Sequence, residues 1–179
     1  MRWLPFQLNP DLPEGGIPRE EYVARKFGAR GKGVNERVTM AGRQVGISFA
    51  YEKMQVQPNT LHAHRLLYYA EQAGRQDELS EELFRAHFTE GANLADKEML
   101  ADVAARAGLD RAAVAAYLAS GEGVDVIRQA DVEARNAGIG GVPFFIFNRK
   151  IGVSGAQDPA TLLDAMEQAL QETGKEQGA

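Results

Sequence analysis

The stretch GIGGVPFFIFNRKIGVSGAQDPATLL, residues 138–163, decides the fold. A proline stands directly before the apolar run FFIF, whose length and composition predict a strand buried on both faces. The segment NRK predicts a tight turn and IGVSG a second short strand, so an antiparallel hairpin is expected. Asp158 and Pro159 then predict the start of a final helix with an apolar stripe, Leu162, Leu163, Met166 and Leu170.

The rest of the chain divides into an extended start and a long helical block. RWLPFQLNP, residues 2–10, predicts a strand, and Pro5 places that strand at an edge or a bulge. The glycines, acidic caps and apolar spacing of the following block predict helices at 18–28, 34–45, 59–74, 78–89, 96–107, 110–120 and 124–136. Between the first and second helices, ARGKG (29–33) predicts a basic surface turn. After the second helix, ISFAYEKMQVQP (47–58) predicts an extended or irregular segment. One strand and one hairpin are too few to make a good sheet alone.

Composition and charge limit the classes of function. The chain of 179 residues has a formal net charge of −5 and a pI near 5.3, which argues against a general binder of nucleic acid or of anionic membranes. No apolar stretch approaches the ~18 to 20 residues of a membrane span, and the first residues lack a signal-peptide layout. The predicted location is therefore the cytoplasm.

The chain contains no cysteine, which excludes disulfides, zinc–thiolate sites, iron–sulfur clusters and a cysteine nucleophile within these residues. It contains three histidines. His62 and His64 stand two positions apart on a predicted helix, so they point to different sides and cannot chelate one metal. The histidine content and spacing therefore predict no metal site.

Four segments together carry a family resemblance: RWLPFQLNPDLP, NTLHAHRLLYYA, GVPFFIF and GAQDP, in that order from Arg2 to about Glu172. On these segments the chain resembles the thioredoxin-fold DsbA family, and within it the FrnE-like branch of dithiol–disulfide oxidoreductases and isomerases. The resemblance implies an α/β fold, a thioredoxin-like sheet of the DsbA type with a large helical insertion. It divides the chain into a thioredoxin-fold strand (1–13), the helical insertion (14–137), the hairpin with the C-terminal helix (138–172) and a disordered tail (173–179).

The resemblance also implies an opening strand and helix whose junction carries Cys-x-x-Cys. Because residues 2–9 match the second strand of the family, we expect this chain to start one strand and one helix late, without its N-terminal βα unit. That strand is central in the family's sheet. Its absence is expected to leave backbone N–H and C=O groups unpaired on apolar strands and to favour self-association.

The same resemblance assigns the candidate site residues, and it implies that this chain carries no catalytic residue and no bound cofactor, with glutathione possible as a substrate or cosubstrate. It implies a cis Val142–Pro143 bond that turns the backbone of Val142 toward the thiol site, where an extended peptide or glutathione pairs with it as a short strand. Asn9 either lines this site or holds Pro10 in an Asx-turn. Ser154 and Gln157 stand before the last helix, whose N-terminus either binds a glutathione carboxylate or is simply capped by Asp158.

Three functions stay open on the sequence alone. The first is a thiol–disulfide oxidoreductase or isomerase whose nucleophile lies outside this chain, so that the polypeptide as given has no dithiol activity. The second is a glutathione-dependent enzyme resembling 2-hydroxychromene-2-carboxylate isomerase or the kappa transferases. The third, if Met1 is the true start, is a non-catalytic binding protein.

Overall fold

The computed structural model describes residues 1–28, 33 and 35–177, and the side chains of these up to residue 172. The predicted basic turn at 29–33 therefore lies, except for Gly33, outside the described residues. The chain divides into two compact units, Met1–Ala130 and Asp131–Ala179, and each is described by itself. The division predicted from the family resemblance, at residues 13 and 137, stays a prediction.

The first unit is helical. Its elements are a two-residue strand β1 (Ile17–Pro18), α1 (Arg19–Phe27), α2 (Glu36–Gln44), a 3₁₀ turn (Tyr51–Lys53), β2 (Val56–Gln57), α3 (Leu61–Gln72), α4 (Gln76–Phe88), α5 (Lys97–Arg106), α6 (Arg111–Ala119) and the start of α7 (Val124–Asn136). The seven predicted helices are thus confirmed, α7 with the predicted ends. The short ladder between β1 and β2 was not predicted.

The local signals that begin α5 and α6 act as the sequence predicts. The Asp96 carboxylate accepts hydrogen bonds from the N–H groups of Glu98 and Met99, and Asp110 accepts one from Ala113. These bonds satisfy N–H groups that have no partner inside a helix. Helices α3 to α6 then pack around leucines and alanines, of which Leu66, Leu79, Leu100 and Leu118 are completely buried.

The predicted strand at residues 2–9 is not formed: the structure has no strand in this segment. Instead, the first residue of α4 takes the place of a strand partner. The Trp3 N–H donates to Gln76 Oε1 at 2.9 Å, and Gln76 Nε2 donates back to the Trp3 carbonyl at 3.1 Å. The indole N–H of Trp3 donates to Asp77 at 2.7 Å. The Gln76 side chain, rather than a neighbouring strand, satisfies the backbone of Trp3.

The second unit contains the predicted hairpin and final helix. Strand β3 (Phe144–Phe147) pairs antiparallel with β4 (Ile151–Ser154), and α8 (Pro159–Gln177) follows. Helix α8 continues past residue 173, where a disordered tail was predicted, and the last two residues lie outside the described part.

The prediction that β3 is buried on both faces is wrong. Ile146 is 47 % exposed, and no residue of β3 is fully buried. On α8 the residues that are buried are the small Ala165 and Ala169, whereas Leu163 and Leu170 are 55 % and 65 % exposed. The apolar run correctly indicates a strand, but burial on two faces also needs a partner on each side, which the described residues do not supply.

The one completely buried charge in the described part of the first unit is Arg65 on α3. Its guanidinium donates to the carbonyls of Tyr117 (2.8 Å), Leu118 (3.2 Å), Ser120 (2.9 Å) and Glu122 (2.8 Å), and stacks 5.0 Å from the Tyr117 ring. Carbonyls at a helix C-terminus lack intrahelical partners, and the helix dipole favours a cation there. Arg65 therefore caps the end of α6 from another helix.

Arg65 also orients a neighbouring histidine. Its Nη1 lies 2.9 Å from Nδ1 of buried His62, so Nδ1 must accept and Nε2 must carry the proton. Nε2–H then donates to Glu14 at 2.9 Å, and Lys97 lies 2.8 Å from the same carboxylate. Burial first, and the nearby Lys97 and Arg65 cations in addition, lower the pKa of His62 below 6.5 despite the Glu14 hydrogen bond. The hydrogen bonds from Lys97 and His62 lower the pKa of Glu14 to about 2.

We predict that Arg65→Lys lowers the free energy of unfolding by about 2–4 kcal/mol, because a lysine cannot reach all these carbonyls and each unsatisfied one costs about 1–3 kcal/mol. Urea unfolding followed by circular dichroism measures this. The control is Arg111→Lys on the exposed face of α6, where loss of the Glu98 and Asp102 contacts should change the free energy of unfolding far less, because exposed ion pairs contribute little. Equal losses for the two variants would contradict the capping role of Arg65.

We predict that His62 and Glu14 affect stability in separate pH ranges. Unfolded His62 takes up a proton near pH 6.5 and the folded residue resists it, so stability falls as the pH drops below 6.5. Glu14 has a lowered pKa in the fold, so its contribution is complete above pH 4.5 and is lost as the pH falls toward about 2. It amounts to no more than about 1 kcal/mol, because Glu14 is largely exposed.

The two variants serve as controls for each other in unfolding measurements at a series of pH values. His62→Gln should reduce the dependence just below pH 6.5, to which buried His87 also contributes, and should keep the loss between pH 4.5 and 2. Glu14→Gln should keep the dependence below pH 6.5 and reduce the loss between pH 4.5 and 2. A wild-type stability that is constant from pH 7 to below 6.5 would show that His62 is not held neutral.

Candidate substrate-binding site

The entry to the hairpin has the backbone geometry that the resemblance implies. The Val142–Pro143 peptide bond is cis. The Pro143 carbonyl accepts a hydrogen bond from the Gly155 N–H at 2.9 Å, which closes the hairpin beside the proline. Val142 is 48 % exposed, and its backbone N–H and C=O form no backbone hydrogen bond within the described residues. An accessible donor and acceptor therefore stand side by side at this end of the hairpin.

Ser154 and Gln157 belong to the same end of the hairpin. Ser154 stands opposite Phe144 in the ladder, and Gln157 Nε2 donates to the Ser154 carbonyl at 2.9 Å. Both residues are exposed. The structure thus brings Val142, Pro143 and Ser154 together, with Gln157 attached to Ser154 by its side-chain amide.

The N-terminus of α8 is occupied by a side chain of this chain. Asp158 Oδ1 accepts from the Thr161 N–H at 3.0 Å, and Oδ2 accepts from the Thr161 hydroxyl at 2.8 Å. These hydrogen bonds, the backbone one first, lower the pKa of Asp158, which keeps the carboxylate charged. Of the two roles open for the N-terminus of α8, binding an anion or being capped, the structure contains the Asp158 cap. The negative charge of Asp158 opposes the binding of a second anion.

Asn9 lies in the other compact unit, so its place in a common site stays a prediction. Its side-chain oxygen accepts from the Tyr22 hydroxyl at 3.3 Å, and its backbone carbonyl accepts from the Leu12 N–H at 3.3 Å. The turn at Pro10 is therefore closed by backbone groups and not by the Asn9 side chain.

The sequence reasoning missed the residues that hold the hairpin in place. Gly155 has a φ of +83°, which favours glycine, and this conformation accompanies the N–H bond to Pro143. In the turn, Asn148 and Arg149 have φ values of +49° and +60°, as in a type I′ turn, and Lys150 N–H donates to Phe147. Asn148 Nδ2 also donates to the Ala169 carbonyl of α8 at 3.2 Å. The pair Ser154–Gly155 at the end of a predicted strand could have indicated the role of Gly155.

Other parts of the described chain offer weaker candidates. A cavity of about 390 Å³ in the first unit is lined by Met40, Arg43, Phe49 and Tyr51 among others. The described residues contain no cluster of three or more histidine and acidic side chains that could hold a metal ion. Within the same residues, none of the helices has the length and apolarity needed to cross a bilayer.

A cis proline before an antiparallel hairpin, followed by an amphipathic helix and preceded by a helical block, defines a thioredoxin-like protein with a helical insertion. Comparison with known proteins identifies the family: residues 1–167 match the DSBA-like thioredoxin domain, and the chain belongs to this family.

Two relatives illustrate the likeness. The chain is similar to a crystal structure of a probable DsbA oxidoreductase from Streptomyces coelicolor, with a TM-score of 0.84 and 29 % identity over 93 % of this chain and 74 % of that one. It is also 26 % identical over 151 residues to the uncharacterized protein YwbO of Bacillus subtilis (strain 168), covering 82 % of this chain and 70 % of the relative. The predicted α/β thioredoxin-like fold with a helical insertion is thereby confirmed.

We predict that Arg149→Gly stabilises the hairpin unit by up to about 1 kcal/mol. A non-glycine residue at positive φ costs about 1–2 kcal/mol, and glycine removes this cost, but its greater flexibility in the unfolded chain offsets part of the gain. Thermal and urea unfolding measure the gain. Arg149→Ala removes the same charge but keeps the Cβ, and it should give no gain. An equal rise for both variants would attribute the effect to charge.

Proposed function

We propose that this chain is the substrate-binding part of a thiol–disulfide oxidoreductase or isomerase of the FrnE-like branch. In this proposal the backbone of Val142 holds an extended peptide segment next to Pro143. The 179 residues contain no cysteine, so the reacting thiol pair must come from outside them. The family membership supports the reaction class, and the relative from Streptomyces coelicolor is described as a probable DsbA oxidoreductase.

One observation carries the proposal: the unpaired backbone N–H and C=O of half-exposed Val142 beside the fixed Pro143–Gly155 bond. An extended peptide can pair with such groups as an added strand, which recognises its backbone and leaves its side chains free to vary. This mode of binding suits an enzyme that acts on disulfides in many sequences. Because Gly155 holds Pro143, the donor and the acceptor stay in place before the peptide arrives.

The chemistry proposed for the complete site is an exchange of disulfide partners. A thiolate from outside this chain attacks one sulfur of the peptide disulfide, a new S–S bond forms, and the other peptide sulfur leaves as a thiolate. The residues of this chain make or break none of these bonds. Their part is to hold the peptide so that its disulfide stays beside Pro143.

The glutathione-dependent alternative has weaker support. Glutathione carries two carboxylates, and the N-terminus of α8, where one of them would bind, already holds the charged Asp158. Ser154 and Gln157 are exposed but bonded to each other. A peptide that binds through its backbone needs no anion site here. Glutathione as a substrate, and the cytoplasmic location, stay predictions from the sequence.

An NMR titration of the ¹⁵N-labelled chain tests the proposal. The probe is an extended peptide with an S-methylated cysteine, and we expect weak binding, with a Kd in the millimolar range, that shifts the amide signals of Val142, Phe144 and Gly155. A matched peptide with proline next to the modified cysteine lacks one N–H and should bind about tenfold more weakly. Shifts confined to other parts of the chain would contradict the proposal.

Two further measurements separate the alternatives. Asp158→Asn keeps the cap but removes the negative charge, so this variant should bind the peptide as the wild type does. In the second measurement, stronger binding of glutathione disulfide than of the peptide would favour the glutathione-dependent function. In the insulin reduction assay, the chain should not exceed the rate of dithiothreitol alone. Faster reduction would contradict the assignment of the thiols to a segment outside this chain.

A further inference from the structure

A cleft lies between α2 and the aromatic segment that follows it, within the first compact unit. Its volume is about 390 Å³, which is in the range of sites that bind small molecules. One wall is a single face of α2, formed by residues 35, 36, 39, 40 and 43 at helical spacing. The other wall consists of Phe49, Tyr51 and Glu52. We call this space the α2 cleft.

The close approach of Gly42 to Phe49 sets the shape of the α2 cleft. A Cβ atom on Gly42 would lie 2.6 Å from the Phe49 ring, a separation that a Cβ atom does not tolerate, so glycine allows α2 to touch the aromatic segment here. Phe49 is also held by stacking on Tyr51, with ring centres 5.4 Å apart, and by an edge contact with Phe88 at 5.8 Å. The aromatic wall is therefore in place before any ligand arrives.

Three charged side chains line the α2 cleft without a partner. Glu36 and Arg43 belong to α2 and Glu52 to the facing wall, and within the described part of the chain no hydrogen bond or salt bridge engages any of these side chains. On α6, by contrast, Arg111 bonds to two carboxylates of the neighbouring helix α5. Unpaired charges of both signs that face one cleft are available to a ligand that itself carries both charges.

We infer that the α2 cleft binds a short peptide with free termini, in which Arg43 pairs with the terminal carboxylate and Glu36 with the terminal ammonium group. These two residues stand seven positions apart on one face of the helix, which is about 10 Å along its axis. A dipeptide extends over about 7 Å, and the two long side chains cover the remaining distance. A single amino acid is too short to reach both. Glu52 supplies a second carboxylate from the facing wall.

The apolar part of the α2 cleft receives a side chain of the peptide. Met40 of the helix wall is 63 % exposed, and Phe49 lies on the other wall. A methionine adapts to apolar groups of different shape, so the cleft selects a large apolar side chain rather than one sequence. Glutathione has two carboxylates and no large apolar side chain, and we expect it to bind more weakly than an apolar dipeptide.

This inference does not rest on the proposed redox function. The peptide proposed at Val142 binds through its extended backbone and can be an internal segment of a protein. A peptide in the α2 cleft binds through its charged ends, which only a short free peptide brings close together. The two sites use different residues, so the amide signals of the labelled chain report on each of them separately.

An NMR titration of the ¹⁵N-labelled chain with the dipeptide Leu-Phe tests the inference. We expect a Kd in the millimolar range and saturable shifts of the Thr39, Arg43 and Tyr51 amides. N-acetyl-Leu-Phe and Leu-Phe amide each lack one terminal charge and should bind about threefold more weakly. Gly-Gly, which has no apolar side chain, should bind about tenfold more weakly. Shifts confined to Val142 and Gly155, or equal affinities for the free and the blocked peptides, would overturn the inference.

Variants assign each terminus to its partner. Arg43→Gln should bind Leu-Phe about threefold more weakly and should no longer distinguish it from its amide. The double variant Glu36→Gln and Glu52→Gln should no longer distinguish Leu-Phe from its acetylated form. Arg37→Gln removes the same charge from an exposed position of α2 outside the cleft and should bind every peptide as the wild type does. Circular dichroism shows that α2 persists. Equal losses for Arg43→Gln and Arg37→Gln would attribute the effect to net charge and contradict the site.

Discussion

The hydrogen bond from the Gly155 N–H to the Pro143 carbonyl fixes the phase of the β3–β4 ladder, and the candidate site depends on that phase. Residues of a strand alternate between its two edges, so one bond determines the direction of all the others. A shift of one residue would turn the backbone groups of Phe144 and Ile146 toward β4. Pro143, which has no N–H, would then lie on the edge of β3 that faces away from β4. The positive φ of Gly155 accompanies this bond, which gives the residue a role in positioning the proline.

The helical unit uses polar side chains to complete backbone hydrogen bonding. Arg65 supplies donors to carbonyls at the end of α6, and Gln76 pairs with the N–H and C=O of Trp3 as a neighbouring strand would. In both places the backbone groups have no partner within their own element, and an unpaired buried group is costly. A side chain with several donors or with a donor and an acceptor meets this need without a regular element beside it.

The sequence predicted the elements that depend on neighbouring residues. Asp96, Asp110 and Asp158 cap helices as predicted, because the cap bonds reach only two or three residues along the chain. The hairpin followed from the FFIF run and the NRK turn, and a cis bond at Val142–Pro143 was implied by the family resemblance.

The predictions that failed concern partners distant in sequence. Residues 2–9 have the composition of a strand, but whether a strand forms depends on what lies beside the backbone, and here that is Gln76, 73 residues from Trp3. The FFIF run likewise indicates that these side chains favour burial, but it does not show whether another element packs against each face of the strand. The carbonyl partners of Arg65 could not be read from the sequence, since they lie 52 to 57 positions away. Residues that are close in sequence therefore determine which helices and turns form. Contacts between residues far apart in sequence determine what surrounds each of these elements.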